Sequence, residues 1–286
     1  LYPRAFDYVA PTSLEEAITA LEDSDAKVMA GGMSLIPLMK TRLFSPATVV
    51  DIGRIPGLDE IEDRGSHISI PALARHADTA SDELIKANAS ALATAAALTG
   101  DVQVRNRGTT CGALAHTDIA ADQPAAVIAL AGVMIARGPK GQREILGADF
   151  CVDTLSSALE PDEILTEILI PKAGAGEGSA YDKLGRRGGH SDYAVAGAAA
   201  WVKKPGDSIE DARVALTGVG TKPTLVEAVG QALIGTDGSD TAIAEAAENA
   251  LEGVTVLGDL YGSEEYKSHL AKVYVRRAVA QALASI

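Results

Sequence analysis

Two glycine-centred segments constrain this chain more than anything else in it: Val28-Met29-Ala30-Gly31-Gly32-Met33-Ser34-Leu35 and Gly108-Thr109-Thr110-Cys111-Gly112-Ala113. Each reads as a turn after an apolar run, flanked by small or hydroxyl side chains. Glycine lacks a Cβ and tolerates positive φ, so such turns can aim backbone N–H groups together at an anion. Taken singly, glycine pairs mostly mark ordinary tight turns. Two of them, well separated in sequence, can close on the two phosphates of one dinucleotide from opposite sides. Neither matches the GxGxxG of a βαβ nucleotide site or the GxxxxGK[ST] phosphate loop. A pyrophosphate here is expected to be held by peptide N–H groups and by the hydroxyls of Ser34, Thr109 and Thr110, without a lysine.

The net charge of −14 argues against nucleic acid or an anionic membrane as partner. No stretch is long and apolar enough to span a bilayer, and no basic-then-apolar leader is present. Leu1 opens the numbering, and an initiator residue is expected ahead of it. Cys111 and Cys151 are too few for an iron–sulfur cluster or a zinc knuckle and point to a reducing, cytoplasmic compartment. The histidines (His67, His76, His116, His190, His269) show no ligand spacing, so no metal is expected.

Local patterns divide the chain into three parts: 1–56, 57–173 and 178–286. Ser13-Leu14-Glu15-Glu16 is a capping-box pattern. With strands at Lys27–Met29 and Thr48–Ile52 and a helix over Ile36–Leu43, it predicts a β-α-β-α-β opening unit in which Asp51 caps the following turn. The second part predicts strands at Ile68–Ile70, Val133–Ala136 and Ile164–Ile170. It also predicts one alanine-rich helix over Leu84–Leu98 stopped by Gly100, and a helix opened by Asp122-Gln123-Pro124 and closed by Gly132. Gly174–Gly178 reads as a linker. Beyond it come strand-like runs at Ser179–Leu184, Ala194–Val202 and Ala212–Val219. Helices at about Leu225–Ile234, Asp240–Leu251 and from Ser263 onward complete an α+β unit.

Ala30-Gly31-Gly32-Met33-Ser34-Leu35-Ile36-Pro37-Leu38-Met39-Lys40 and Gln103-Val104-Arg105-Asn106-Arg107-Gly108-Thr109-Thr110-Cys111-Gly112 resemble the two flavin signatures of the FAD-carrying medium subunits of molybdenum hydroxylases, the family of aerobic carbon monoxide dehydrogenase and xanthine dehydrogenase. The resemblance covers nearly the whole chain. It implies an α+β fold: a two-part FAD-binding domain of the vanillyl-alcohol-oxidase/PCMH type, then a C-terminal α+β domain with a three-stranded antiparallel sheet and helices. Residues Val28 to Leu35 (Val28, Met29, Ala30, Gly31, Gly32, Met33, Ser34, Leu35) would wrap one side of the FAD pyrophosphate and ribose. Thr109, Thr110, Cys111, Gly112 and Ala113 would wrap the other. Asp122 matches an acidic position near the adenosine, with helix capping as its plain alternative. Leu165 would pack near the adenine or simply fill the core, and Asp118 would lie on the same loop. Lys183, Asp192 and Tyr193 would lie near the isoalloxazine, where a basic group stabilises the anionic reduced ring and an aromatic side chain covers one face. Arg186-Arg187 reads as a solvated turn.

The chain departs from the family pattern at Met33, a polar position elsewhere, and at Cys111 and Ala113, which replace the glycine and asparagine of Thr-x-Gly-Gly-Asn. Gly188-Gly189-His190 lengthens the loop before Asp192-Tyr193. No nucleophile–base pair or acid–base constellation stands out, which suits a chain whose chemistry belongs to a cofactor. By resemblance, the partners are a large molybdenum-cofactor subunit and a small subunit with two 2Fe-2S clusters, assembled as a dimer of heterotrimers. A free-standing FAD oxidase and a flavin-free scaffold are the alternatives. The substrate of the complex and the external acceptor lie outside this chain.

Overall fold

The computed structural model describes residues 2–22, 25–187 and 192–286. The lengthened Gly188-Gly189-His190 segment lies outside them. The first unit runs β1 (Asp7–Val9), α1 (Leu14–Ala20), β2 (Ala26–Met29), α2 (Leu35–Thr41), β3 (Thr48–Asp51), with parallel strands in the order β1-β3-β2. Ser13 caps α1 by accepting from Glu16 N, and Glu16 reaches back to Thr12 N at 2.8 Å. Asp51 Oδ1 accepts from Gly53 N at 2.9 Å and caps the 3-10 turn over Ile52–Arg54, as its position predicts.

The second unit is built on a five-stranded sheet, β4-β5-β10-β6-β7. In chain order it contains β4 (Glu62–Asp63), β5 (His67–Pro71), α3 (His76–Ser81), α4 (Glu83–Asn88), α5 (Ser90–Ala97), α6 (Val102–Arg105), α7 (Thr110–His116), α8 (Asp122–Ala129), β6 (Val133–Gly138), β7 (Gly141–Leu146), α9 (Gly147–Phe150), β8 (Cys151–Asp153), β9 (Ser156–Ser157) and β10 (Ile164–Pro171). The single helix expected over Leu84–Leu98 is two helices, broken at Ala89 (φ −145°, ψ 50°). Asn88 Nδ2 takes the Leu84 carbonyl and Ser179 Oγ accepts from Ala91 N, so side chains capture backbone groups that a continuous helix uses. After α8 the left-handed residue is Ala131 (φ 53°) rather than Gly132. Gly132 is glycine because a Cβ would meet Val127 Cγ1 at 2.7 Å and Ile170 Cδ1 at 2.8 Å.

The third unit contains β11 (Glu177–Gly185), β12 (Ala194–Lys203), β13 (Asp211–Thr217), β14 (Thr224–Leu225), α10 (Glu227–Leu233), α11 (Asp240–Ala247) and α12 (Glu264–Ala284). Its three long strands are antiparallel as expected, and the two-residue β14 adds a fourth at the edge. β12 is buried on both faces, which explains its run of small residues. Ala196, Ala198, Ala200 and Val202 pack with Ala271, Val275 and Val279 of α12. Ala199 and Trp201, on the other face, pack with the alanine-rich α5 and α8. The third unit therefore sits directly on the second. Main-chain bonds close the seam: Ala194 N donates to Ala120 O at 3.1 Å and Gly218 N to Ile119 O at 2.7 Å.

Candidate flavin site

Met29 ends β2, and the chain turns at once through Gly31 and Gly32 into α2. Gly32 has φ +73°, a conformation that L side chains rarely adopt. A Cβ on Gly31 would collide with the Arg107 carbonyl, so the first turn lies directly against the segment leading into the second. Five consecutive main-chain N–H groups, from Gly31 to Leu35, find no acceptor among the described residues. The Ser34 side chain makes no capping bond. This is a concentrated donor cluster at the start of a helix, and it fits a phosphate.

The second segment is not a turn. Thr109 is the N-cap of α7, accepting from Gly112 N at 3.1 Å, and Thr110 and Cys111 form the first helical positions. Both hydroxyls have partners within the protein: Thr109 Oγ1 accepts from Gly112 N, and Thr110 Oγ1 lies 2.7 Å from Thr79 Oγ1 in a fully buried pair. Cys111 is buried, with Sγ directed to the Ile70 carbonyl. Burial pushes its thiol well above the usual range. The N–H groups of Thr109 and Cys111 find no acceptor among the described residues, with Gly112 and Ala113 half-buried beside them. Gly108 carries no side chain because the His76 ring occupies that space, 2.9 Å from where a Cβ would stand. His76 is 4% exposed, and burial, with Arg105 nearby, lowers its pKa to about 4. Gln123 Nε2 lies 3.1 Å from His76 Nδ1.

Three of the expected site residues point inward. Ala121, not Asp122, is the N-cap of α8, so capping is not the role of Asp122. Its carboxylate accepts from the Tyr181 hydroxyl at 2.5 Å and from Lys183 Nζ at 2.7 Å, and Thr99 Oγ1 is 3.3 Å away. Burial raises the Asp122 pKa to about 6 against the opposing pull of Lys183. Leu165 belongs to the core on β10. Lys183 is buried with its partners.

Asp118 and Tyr193 lie within electrostatic reach of each other. Asp118 Oδ1 accepts from Ala120 N at 2.9 Å in the loop clasped by the third unit. Tyr193 is 43% exposed, and its hydroxyl pKa is raised by burial and then by Asp118. His116 stands near the same loop, its pKa lowered by burial and by Lys27, with Asp118 opposing. Asp192 Oδ1 accepts from Tyr193 N at 2.7 Å, which sets the turn into β12. The sequence reading missed one feature here. Arg186 is not a solvated turn residue: its guanidinium lies over the Tyr193 ring (5.1 Å to the centroid) and the Tyr261 ring (4.6 Å). Tyr261 is far off in sequence, and no local pattern could have paired it with Arg186. Arg187 is exposed, 3.7 Å from Asp192. Among the described residues, no group of three or more His, Cys, Asp or Glu side chains is placed to hold a metal ion, and no helix is long and apolar enough to cross a membrane.

Comparison with known proteins agrees with this geometry. Residues 4–173 match the family described as the FAD binding domain in molybdopterin dehydrogenase, and residues 179–282 match the CO dehydrogenase flavoprotein C-terminal domain. The carbon monoxide dehydrogenase medium chain of Hydrogenophaga pseudoflava is 38% identical over 98% of this chain and 97% of its own length. The 6-hydroxypseudooxynicotine dehydrogenase complex subunit alpha of Paenarthrobacter nicotinovorans is 37% identical over 98% and 95%. Among solved structures, the carbon monoxide dehydrogenase of Hydrogenophaga pseudoflava contains a chain that superimposes with a TM-score of 0.95 at 39% identity, covering 99% of both chains. A chain of quinoline 2-oxidoreductase from Pseudomonas putida 86 gives 0.92 at 32% identity, again over 99% of both.

Proposed function

Because the chain belongs to the FAD-carrying medium subunits of the molybdenum hydroxylases, we propose that it relays electrons from an iron–sulfur partner subunit to an external acceptor. The observation that carries this reading is the run of N–H groups from Gly31 to Leu35 that find no acceptor among the described residues, with Gly31 against the Arg107–Gly108 main chain. These donors and the Ser34 hydroxyl would hold the FAD pyrophosphate from one side. The N–H groups of Thr109 and Cys111 would hold it from the other, with Val28, Met29, Ala30, Met33, Gly112 and Ala113 shaping the walls. Bound FAD supplies a two-electron store that takes electrons singly and gives them up singly or in pairs.

The chain's own residues bind and orient. Tyr193 would offer a ring face to the flavin, and Arg186, whose guanidinium lies over the Tyr193 and Tyr261 rings, would place a positive charge beside it. Asp118 lies within electrostatic reach of both Tyr193 and His116. We take 1–56 and 57–173 as two FAD-binding subdomains and 178–286 as a C-terminal domain. A large molybdenum-cofactor subunit and a small subunit with two 2Fe-2S clusters would complete a cytoplasmic dimer of heterotrimers. Substrate oxidation would take place in the large subunit.

The test is rapid mixing of the assembled complex with substrate, following cluster and flavin bleaching separately. Tyr193→Ala should slow reoxidation by the external acceptor while substrate still reduces the clusters nearly as before. Loss of substrate-dependent cluster reduction in an intact complex would mean that this chain helps form the substrate site. Heat or acid should release the flavin into the supernatant, because neither segment offers a histidine for covalent attachment.

A further inference from the structure

Lys183 lies on the face of β11 turned toward the FAD-binding half, opposite Gly197 of β12. A Cβ on Gly197 would meet Tyr181 Oη at 2.8 Å and Lys183 Cβ at 3.0 Å, so the central strand gives up a side chain where these two residues pass. Lys183 is 1% exposed. Its ammonium carries three hydrogens and has three acceptors: Asp122 Oδ2 at 2.7 Å, the Leu98 carbonyl at 3.1 Å, and the Asp192 carbonyl. Two of these suit a cation on general grounds. Leu98 is the C-cap of α5, so its carbonyl belongs to the negative end of a helix. Asp122 opens α8, where the positive end favours a carboxylate. The third acceptor is different. The Asp192 carbonyl belongs to no helix or strand and directly precedes Tyr193.

Building on the reading that Tyr193 meets the flavin ring, we propose that Lys183 is a positioning residue: it fixes Tyr193 at the FAD site by gripping the Asp192 carbonyl, with Asp122 and Leu98 as its anchors. The peptide between Asp192 and Tyr193 cannot rotate without stripping an acceptor from a buried ammonium, which is far more costly than moving an exposed loop. On the other side of Tyr193, its carbonyl accepts from Arg186 N at 3.0 Å, and Ala194 N is held by the Ala120 carbonyl. The main chain of Tyr193 is thus pinned on both sides while its ring stays exposed. With all three donors engaged, Lys183 acts through the peptide and not on a ligand.

The test uses the assembled complex with Lys183→Met, and with Lys183→Met combined with Asp122→Asn so that no unpaired charge stays buried. Hydrogen exchange at the amides of Arg186 and Ala194 should quicken at least tenfold, while Ala198 and Ala200 in the middle of β12 keep their protection. Fluorescence of bound FAD should rise severalfold, as it should in Tyr193→Ala, and adding Lys183→Met to Tyr193→Ala should bring no further rise. Uniform quickening along β12, unchanged exchange at Arg186 and Ala194 in the neutral pair, or an additive fluorescence rise would each overturn the positioning role. If Tyr193→Ala alone leaves the fluorescence unchanged, the ring placement fails and the functional half of this proposal fails with it. The exchange measurement then decides separately whether Lys183 holds the peptide.

Discussion

Gly31 packs its α-carbon against the main-chain carbonyl of Arg107, so the two flavin segments meet at a contact with no room for a side chain. Gly31→Ala should force them apart. The obstacle is backbone, which cannot rotate out of the way, so the cost should be roughly 1–3 kcal/mol or more. Thermal unfolding and FAD content per folded subunit check this together. A normal melting temperature with full FAD occupancy would show that the two segments separate freely.

Gly32→Val tests a different property of the same turn. The left-handed conformation alone should cost on the order of 1–2 kcal/mol for a branched residue. A Cβ there would also meet Ile36 Cδ1 at 2.8 Å and Met29 Sδ at 3.3 Å. FAD content is expected to fall well below one per subunit, measured after gel filtration of the folded protein.

Acid should weaken the fold through His76. The folded imidazole has a pKa of about 4 against an ordinary 6.5, so between these values the unfolded chain binds the extra proton. Stability from this group is therefore fully present above pH 6.5 and is lost as pH falls toward 4. The loss amounts to about 3 kcal/mol at most. Urea titrations at pH 7 and pH 4.5 should show His76→Phe losing less stability than the parent over that interval. Equal losses would remove His76 as the source.

Neither cysteine should react while the protein is folded. Cys111 is 2% and Cys151 1% exposed, and burial pushes the Cys151 thiol up to about 11. Mass spectrometry after iodoacetamide treatment at pH 8 should find both thiols unmodified in the native protein and both alkylated in urea. Rapid native alkylation at either would show that its helix or strand opens readily.

Elements with a local cause were legible in the sequence. Ser13 caps α1 because its neighbours supply the donor, and Asp51 caps its turn for the same reason. The alternation of β12 is legible only in retrospect, since two-sided burial by alanines leaves no polar face to mark it. At the break after Ala89 the Ala91 N–H is taken by Ser179 Oγ across the domain seam, a partner that no window around residue 89 contains. The same holds for Arg186, whose stacking needs Tyr261. The expected roles of Thr109 and Thr110 rested on their peptide N–H groups and on their hydroxyls. The helix that begins there engages both hydroxyls within the protein and leaves the Thr109 and Cys111 N–H groups without an acceptor among the described residues, an arrangement that residue types alone do not reveal.

The seam between the second and third units is closed at Ile119 and Ala120 by carbonyls, which every residue possesses. Side-chain identity at these two positions can drift without loosening the joint. The donors are less forgiving: proline at Ala194 or Gly218 would delete an N–H, and Gly218 has a positive φ besides. Such a joint tolerates much sequence divergence on one side and very little on the other.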